Sequence, residues 1–397
     1  MTEPAEVAAA WEKFCGELRA FGEELCALAP VQDATHHAEA LQFVTRTLRA
    51  GLDFRLDNYD PRHPRLIWWD RACAGAAPSA PNADNSYVIA KIDGRETYRL
   101  TVPLDTIDEL NLSIHGRYYG QPDSGPAGVW GNVTLHELKH DGREVQVILS
   151  AKPQDRENWL EIGEEARFLF LRLYYFDWSK GRPPALELTC LSANEPAPNS
   201  IPPENLIGGL ADTMAWLRSH ILYEQQMAIG SFLKRSKGER NAYYAADYGG
   251  VAPPAYRYGN VEFELGPDEA LVMEFKPPNA RYWCVQWHRM PWGDSADFFN
   301  HITSINHRQG HVDSDGLVRI VVSAKDPGVQ NWIDTEGRRT GLMFTRWFWA
   351  DAPAVPTCQV VSLSDVRSLL PGDTPNFGSQ ARAEQMAVRR RHLQLRY

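Results

Sequence analysis

Two groups of residues in this 397-residue chain combine a histidine with an arginine and an aromatic side chain. In each group the aromatic residue stands four positions after the histidine, and a glycine follows it. An imidazole can exchange a proton near neutral pH, and a guanidinium can hold an anionic group through two parallel hydrogen bonds. The spacing therefore indicates proton transfer and anion binding. The two groups are His115, Arg117, Tyr119 and Gly120, and His288, Arg289, Trp292 and Gly293.

The second group has more titratable residues nearby and is the stronger candidate for catalysis. We expect His288 to act as a general base and Asp294 to orient its ring. Arg289 would hold a negative charge of the substrate, and in the first group His115 and Tyr119 would contact the substrate. A structural role for either histidine stays open, because duplication preserves a structural contact as readily as a catalytic one.

Two further arginines lie within segments that the sequence predicts to be aromatic strands. Arg172 and Arg346 each share a strand face with aromatic residues at alternate positions. A buried guanidinium needs a partner, since leaving it unpaired costs roughly several kcal/mol. The partner could be a structural carboxylate such as Glu161 or Asp334, or it could be an anionic group of the substrate. Three tryptophans are expected to stack on a ring of the substrate: Trp283, Trp287 and Trp292.

A duplicated stretch organises these residues. Ser150 and Ser323 are 173 positions apart, and Asn158 and Asn331 have the same separation. Residues 111–115 align with residues 284–288 in that register. The period is far longer than the roughly 20 to 50 residues of a solenoid repeat. Alternating apolar residues in each copy therefore predict two related β units.

The composition is that of an ordinary globular protein, with 43% hydrophobic and 23% charged residues. The formal net charge of -10 argues against a nucleic-acid partner, which clustered Lys and Arg would bind. No run of 18 uncharged apolar residues occurs, so we expect no membrane partner. Six cysteines without a paired spacing, and an acidic start in place of a signal peptide, predict a cytoplasmic protein.

Neither a metal ion nor a cofactor is expected. Residues 136–140 match the HExxH pattern, in which two histidines adjoin on a helix and share one zinc ion. The alternating pattern here predicts a strand, on which His136 and His140 would stand roughly 13 Å apart. That distance is too great for one zinc ion. The chain also lacks the glycine-rich loops of nucleotide-binding proteins and the serine elbow of hydrolases.

The second β unit resembles a bacterial family of unknown function, the one numbered 1214. The resemblance covers residues 258–364, and the preceding helical region with the first β unit looks like the N-terminal part of single-chain members. It implies a jelly-roll-like β-sandwich and gives no established activity. The signatures that carry it are Tyr258-Gly-Asn, Glu264-Leu-Gly-Pro-Asp268-Glu-Ala-Leu-Val-Met, Pro278-Asn-Ala-Arg-Tyr-Trp283, Asp326-Pro-Gly-Val-Gln-Asn-Trp332 and Gly341 to Arg346-Trp.

The predicted fold is mainly β with added helices. Two related jelly-roll-like β-sandwich units are expected to be wrapped by N-terminal and central helices, whose apolar residues recur at spacings of three and four. The predicted parts are a helical N-terminal region with a wrapping loop (1–80), a first β-sandwich unit (84–192), a linker, helix and Tyr-rich loop (193–254), a second β-sandwich unit (255–364) and a basic C-terminal tail (365–397).

Two classes of function fit these residues. The first is a cofactor-free enzyme of the lyase or hydrolase type, acting on a small ring-bearing metabolite such as a glycoside, steroid-like or aromatic compound in an aromatic-lined cleft. The second is a non-catalytic protein that binds a small molecule or carbohydrate there, or serves as a scaffold. Convergence of His288, Asp294 and an arginine within hydrogen-bond reach would favour the enzyme. Exposed sheet edges also suggest a homo-oligomer.

Overall fold

The structure, a computed structural model, describes residues 2–29, 32–69, 80–117, 129–224, 236–246 and 255–397, together with Gly230. The described helices are α1 (Pro4–Leu28), α2 (Ala34–Gly51), the central helix (Pro203–Arg218) and the C-terminal helix (Ser379–Arg396), with π-helical turns at Leu52–Asp57 and Ser219–Glu224 and 3₁₀ turns at Leu135–Glu137 and Leu363–Leu369. The described strands are β1 (Ile67–Trp68), β2 (Asn85–Lys91), β3 (Tyr98–Pro103), β4 (Glu109–His115), β5 (Val129–Thr134), β6 (Glu144–Ser150), β7 (Trp159–Glu161), β8 (Phe168–Tyr174), β9 (Glu187–Cys190), β10 (Tyr244–Ala246), β11 (Tyr256–Glu264), β12 (Glu269–Phe275), β13 (Ala280–His288), β14 (Ser304–Asn306), β15 (Val318–Ser323), β16 (Trp332–Asp334), β17 (Thr340–Ala350) and β18 (Thr357–Ser362).

The strands form two pairs of sheets with the same strand order. In the first unit a five-stranded sheet of order β1-β2-β8-β4-β5 accompanies a four-stranded sheet of order β7-β6-β3-β9. In the second unit the orders are β10-β11-β17-β13-β14 and β16-β15-β12-β18. Each strand of the second unit corresponds to the strand nine places earlier, and both units contain one parallel pair, β6 with β7 and β15 with β16. The predicted fold of two related sandwich units is confirmed.

The hydrophobic core of each unit lies between its two sheets. In the first unit, Leu112 and Leu171 of the five-stranded sheet pack with Leu100 and Val147 of the four-stranded sheet. Because side chains alternate along a strand, the residues between them point to the other side of the five-stranded sheet, called here its outer face. The outer faces carry the polar and aromatic residues from which the candidate site is built.

The N-terminal and central helices cover part of the outer face of the first unit. Phe54, in the π-helical turn after α2, contacts Phe168 of β8 edge to face, with ring centroids 5.7 Å apart. Trp69 contacts both Phe170 of β8 and Trp216 of the central helix.

None of the helices in the described ranges combines the length and the apolarity that crossing a bilayer requires.

Trp159 and Trp332 occupy the same position in the two units. Trp159 donates its indole N–H to the carbonyl oxygen of Ser150 at 3.2 Å and to the hydroxyl oxygen at 3.1 Å. Trp332 makes the same two bonds to Ser323, at 3.2 and 3.0 Å. The two copies therefore share their local structure as well as their strand order.

This shared bond pattern gives a testable expectation for stability. We expect Trp332→Phe to lower the free energy of unfolding by about 1–2 kcal/mol, because the ring keeps most of its packing but loses its only donor. Trp159→Phe should have the same sign and a smaller effect, since Trp159 is only half-buried. Urea unfolding measures both, with Trp11→Phe at a position 54% exposed as control. Equal stability of all three variants and the parent protein would contradict the expectation.

The C-terminal helix packs against both units, whereas the sequence predicted a basic tail. Arg382 binds the carboxylate of Asp326 in the second unit through Nε at 2.9 Å. Arg396, at the other end of the helix, donates Nη1 to the carbonyl oxygen of Ala83 in the first unit at 2.6 Å. Arg382 and Arg396 thus form hydrogen bonds within the protein. Their partners are 56 and 313 positions away in the sequence, so a local sequence pattern does not predict these bonds.

The predicted strand at residues 133–140 is shorter than expected. β5 ends at Thr134, and Leu135–Glu137 form a 3₁₀ turn. The backbone N–H of Thr134 donates to the Glu137 carboxylate at 2.8 Å, which stabilises the turn. His136 therefore lies on a turn. Within the described ranges, no three His, Cys, Asp or Glu side chains are grouped as the ligands of a metal ion would be.

Candidate functional site

Three buried side chains lie close together on the outer face of the second unit. Gln286 and His288 are successive outward residues of β13, and Arg346 lies on the neighbouring strand β17. The register places Phe344 beside Gln286 and Leu342 beside His288, with Arg346 next along the same face. Outward residues two positions apart stand about 7 Å from each other, and cross-strand neighbours about 5 Å. Arg346, Gln286 and His288 are called the donor cluster below.

Every member of the donor cluster keeps a buried polar atom without a hydrogen-bond partner among the described residues. Arg346 is 3% exposed, and Gln286 and His288 are both 0% exposed. The atoms concerned are Nη1 of Arg346, Nε2 of Gln286 and both ring nitrogens of His288. Most buried polar groups are paired, and an unpaired one costs about 1–3 kcal/mol. Such groups at adjoining positions could together hold an oxyanion.

Arg346 has no carboxylate partner in the part of the chain that the structure describes. Its Nη2 donates to the backbone carbonyl oxygen of Ala80. Burial acts to lower the pKa of Arg346, but the neighbouring thiol of Cys284 and phenols of Tyr87 and Tyr282 raise it overall. The guanidinium therefore stays charged among neutral neighbours, and its planar fork suits an external anion.

The ion pairs considered for the two strand arginines are not formed in the described structure. Asp334 binds the ring of His301 instead, with Nδ1 and Oδ2 2.7 Å apart. Glu161 lies exposed on β7, in the sheet opposite Arg172. Arg172 donates to the amide oxygen of Asn111 at 3.0 Å. Neither guanidinium is neutralised by the carboxylate that the sequence suggested.

His288 carries no charge at neutral pH. Burial lowers the pKa of the imidazole well below its ordinary 6.5, and the positive charge of Arg346 lowers it further. The backbone of Asp294 acts in the opposite direction and is the weakest of the three influences. The ring meets that of Phe344 edge to face, with centroids 5.2 Å apart. A neutral imidazole offers one donor and one acceptor nitrogen.

The carboxylate of Asp294 binds Arg289 and not the ring of His288, contrary to the prediction. The turn after β13 is closed by a bond of 2.9 Å from the Arg289 N–H to the Asp294 carbonyl oxygen, and the carboxylate lies 3.4 Å from Nη1 of Arg289. Nη2 of Arg289 binds Glu336 at 3.0 Å. Burial raises the pKa of Asp294 to about 6, and Arg289 opposes this rise. The guanidinium of Arg289 is thus occupied by two carboxylates, and it is the backbone of Asp294, not its carboxylate, that acts on the predicted base His288.

The three tryptophans predicted to stack on a substrate do not face the donor cluster. Trp283 lies in the core between the sheets, and so does Trp287, whose indole N–H donates to the carbonyl oxygen of Asp334 at 2.7 Å. Trp292 stacks on Phe43 of α2, with centroids 6.3 Å apart. All three are less than 10% exposed. Their role in this structure is packing.

The equivalent positions of the first unit have polar partners of their own. Nε2 of His115 bonds to the hydroxyl of Ser113 at 2.9 Å, and Arg172 donates to Asn111. Burial and the charge of Arg172 lower the pKa of His115 to about 3. Tyr119, predicted to contact the substrate, lies outside the described residues. The first unit therefore satisfies its histidine and arginine internally.

Two differences between the copies explain why the histidine and arginine of the second unit lack such internal partners. Asn111 and Ser113, the acceptors of the first unit, are replaced by Cys284 and Gln286. A thiol is a weak acceptor, and the side-chain oxygen of Gln286 already accepts the backbone N–H of Ala83 at 3.0 Å. The two units therefore differ: the histidine and arginine of the first have side-chain partners, whereas the donor cluster keeps unpaired buried atoms.

Gln286 was not among the predicted site residues. The aligned copies contained the necessary signal, because glutamine stands where the first copy has Ser113. Ala80 was not predicted either. Its carbonyl oxygen accepts a hydrogen bond from Arg346, which is 266 positions away in the sequence, so no local sequence pattern indicates the contact.

Comparison with known proteins supports the assignment of the second β unit. Among solved structures, an uncharacterized protein from Burkholderia cenocepacia is 26% identical, with a TM-score of 0.80, and the match covers 92% of this chain and 100% of that one. The VPA0106 protein from Vibrio parahaemolyticus is 13% identical, with a TM-score of 0.44 and coverage of 81% and 98%, a likeness too low to carry an argument. No curated protein matches the sequence. Residues 262–352, which contain the whole donor cluster, match the family described as Protein of unknown function (DUF1214), so the resemblance of this unit to that family is confirmed.

Proposed function

We propose that this protein binds a small carboxylate at the donor cluster of its second β unit. The observation that carries the proposal is the set of unpartnered buried atoms on Arg346, Gln286 and His288. In the first unit the equivalents of Arg346 and His288, Arg172 and His115, bond to Asn111 and Ser113. A binding role accounts for this difference, because a site keeps unpaired groups where a structural contact would pair them.

The charge of the cluster favours a monoanion. Arg346 supplies one positive charge, and His288 is neutral because it is buried beside that charge. A carboxylate carries one negative charge and two acceptor oxygens, which suits a guanidinium nitrogen together with an amide N–H. Leu342 and Phe344 lie beside the donors. An apolar or ring-bearing body attached to the carboxylate would find apolar neighbours there.

Catalysis is a second candidate, supported by the state of His288. Its ring is neutral, neither ring nitrogen has a side-chain partner among the described residues, and the charge of Arg346 acts on it. A neutral imidazole can take a proton from a molecule whose carboxylate the arginine holds. This would be the chemistry of a cofactor-free lyase or hydrolase. Binding remains the first proposal, since the carboxylate of Asp294 is bound to Arg289 and does not support the histidine as a base.

The proposal is tested by carboxylate binding to arginine variants. We expect benzoate and acetate to raise the melting temperature of the parent protein, with phosphate having less effect. Arg346→Gln should weaken benzoate binding roughly 10- to 100-fold, the loss of one charge-assisted hydrogen bond. Arg172→Gln, at the equivalent position of the first unit, should bind as the parent does. Isothermal titration calorimetry measures the affinities.

The controls separate binding at the cluster from general effects of charge. Arg167→Gln removes an exposed arginine that bonds only to backbone carbonyls at the start of β8. It should leave the benzoate affinity unchanged. If Arg346→Gln, Arg172→Gln and Arg167→Gln all bound benzoate like the parent protein, the donor cluster would not be the site.

A further inference from the structure

A segment of the first unit forms one wall of the donor cluster. Residues 80–85, called the strap here, contact outward residues of the second unit and lead into the first residue of β2. The carbonyl oxygen of Ala80 accepts from Arg346, and the backbone N–H of Ala83 donates to the side-chain oxygen of Gln286 at 3.0 Å. Two of the three cluster residues are therefore in direct contact with the strap.

The bond from Ala83 decides which way the Gln286 amide faces. An amide side chain has an oxygen at one corner and an NH₂ group at the other. Because the oxygen is fixed on the strap, the NH₂ group is left for the cluster. Any movement of the Ala83 peptide would allow the amide to rotate and would misplace this donor. The direction of the Gln286 donor thus depends on a backbone group of the other unit.

The backbone of the strap is not in a relaxed conformation. Ala80 has a φ of 53°, in the left-handed region, where a residue with a Cβ is disfavoured by about 1–2 kcal/mol. Such a conformation persists only when the surroundings hold it. Tyr282 contributes to this hold from β13, since its hydroxyl donates to Asp84 at 2.6 Å and contacts the side chain of Asn82.

The C-terminal helix supplies a second hold on the strap. Nη1 of Arg396 donates to the carbonyl oxygen of Ala83 at 2.6 Å, and Nη2 donates to that of Asn85. The Arg396 side chain is 0% exposed. One guanidinium therefore fixes the carbonyl groups of the two residues on either side of Asp84, and one of these residues, Ala83, supplies the N–H that orients Gln286.

We propose that Arg396 is a positioning residue for the donor cluster, acting through the strap on Gln286. This inference rests on the proposed carboxylate binding. A residue of the C-terminal helix then helps to set the affinity of a site built on the outer face of the second unit.

The test compares two buried arginines of the same helix. Arg382 is 8% exposed and binds Asp326 and the carbonyl oxygen of Val329 in the second unit, without contact to the strap. We expect Arg396→Gln to weaken benzoate binding about tenfold, the equivalent of one misplaced hydrogen bond. Arg382→Gln should lower the melting temperature yet leave the benzoate affinity of the folded protein unchanged. Arg396→Lys, which keeps the charge and can reach one carbonyl, should recover part of the affinity.

A second readout does not require a ligand. Hydrogen exchange at the Ala83 amide reports its bond to Gln286 directly, and it should quicken in Arg396→Gln and Arg396→Lys but stay slow in Arg382→Gln. Unchanged Ala83 protection in both Arg396 variants would overturn the positioning role. If the parent protein bound no benzoate while Ala83 behaved as expected, the proposed function would fail and the strap contact would stand as structural only. If benzoate bound equally to the parent and Arg396 variants, only the inference about Arg396 would fail.

Discussion

Gln286→Glu is expected to abolish carboxylate binding while the protein stays folded. The substitution replaces the NH₂ group by an oxygen and changes the shape of the side chain little. One oxygen can keep the bond from the Ala83 N–H, and the other takes the place of Nε2 beside Arg346 and His288. The introduced carboxylate then pairs with the guanidinium from within the protein. An external carboxylate would meet an occupied arginine and a like charge, so its affinity should fall by at least about 100-fold.

The same change should raise the free energy of unfolding by about 1 kcal/mol. A charge-assisted hydrogen bond contributes about 1.5–3 kcal/mol, and the cost of burying a carboxylate offsets part of it. Calorimetric titration with benzoate and urea unfolding measure the two effects. Gln359→Glu, on the exposed side of β18, is the matched control and should change neither quantity appreciably. A folded Gln286→Glu variant that still bound benzoate with the parent's affinity would disprove the assignment of the donor cluster.

The sequence predicted the duplicated fold because the signal was repeated and local. Ser150 and Ser323, with the tryptophans that follow them, keep one spacing in both copies, and the structure gives them the same bonds. The bond from the indole N–H to the serine hydroxyl requires a tryptophan nine residues after the serine in both units. The residues between can vary, which is why the register survives while the overall sequence differs.

The site was predicted in part, and the errors have physical causes. The structure places His288 and Arg346 on one sheet face, on the neighbouring strands β13 and β17. Trp287 precedes His288 directly, so the alternation of a strand already required the two side chains to point to opposite faces. The prediction that Trp287 stacks on a substrate ring held near His288 overlooked that constraint. Asp294 was expected to reach His288 from sequence proximity alone, but the turn directs its carboxylate to Arg289.

What the sequence could not supply is the contact between the units. Ala80 meets Arg346, and Arg396 meets Ala83, across most of the length of the chain. Neither contact follows from periodicity or capping, because each joins a side chain to a backbone carbonyl that any residue could provide. The contacts of the strap therefore follow from the three-dimensional structure and not from the sequence pattern. The fold of the second β unit alone does not provide the hydrogen-bond partner of Arg346, because that partner, Ala80, lies in the strap.

Asp294→Asn is expected to remove about 3 kcal/mol of pH dependence from the stability of the protein. Asp294 is 7% exposed, and burial raises its pKa from the ordinary 3.8 to about 6. Below pH 3.8 the carboxyl is protonated in both the folded and the unfolded chain, so the ionisation of Asp294 does not lower the free energy of unfolding. Between these values the unfolded chain releases a proton that the folded chain retains, and unfolding becomes easier as the pH rises. Above pH 6 the loss is complete, and a difference of roughly 2 pKa units corresponds to about 3 kcal/mol.

The measurement is the difference in unfolding free energy between the parent protein and Asp294→Asn, taken at pH 4 and at pH 7. Asparagine does not titrate, and Arg289 keeps its partner Glu336 at 3.0 Å, so the variant should gain stability relative to the parent as the pH rises. Asp268→Asn removes an exposed carboxylate paired with Lys325 and serves as control, with a difference that stays nearly constant. A constant difference for Asp294→Asn as well would mean that the Arg289 charge compensates the burial of this carboxylate in full. Asp294 would then be an ordinary member of the ion pair that closes the turn after β13.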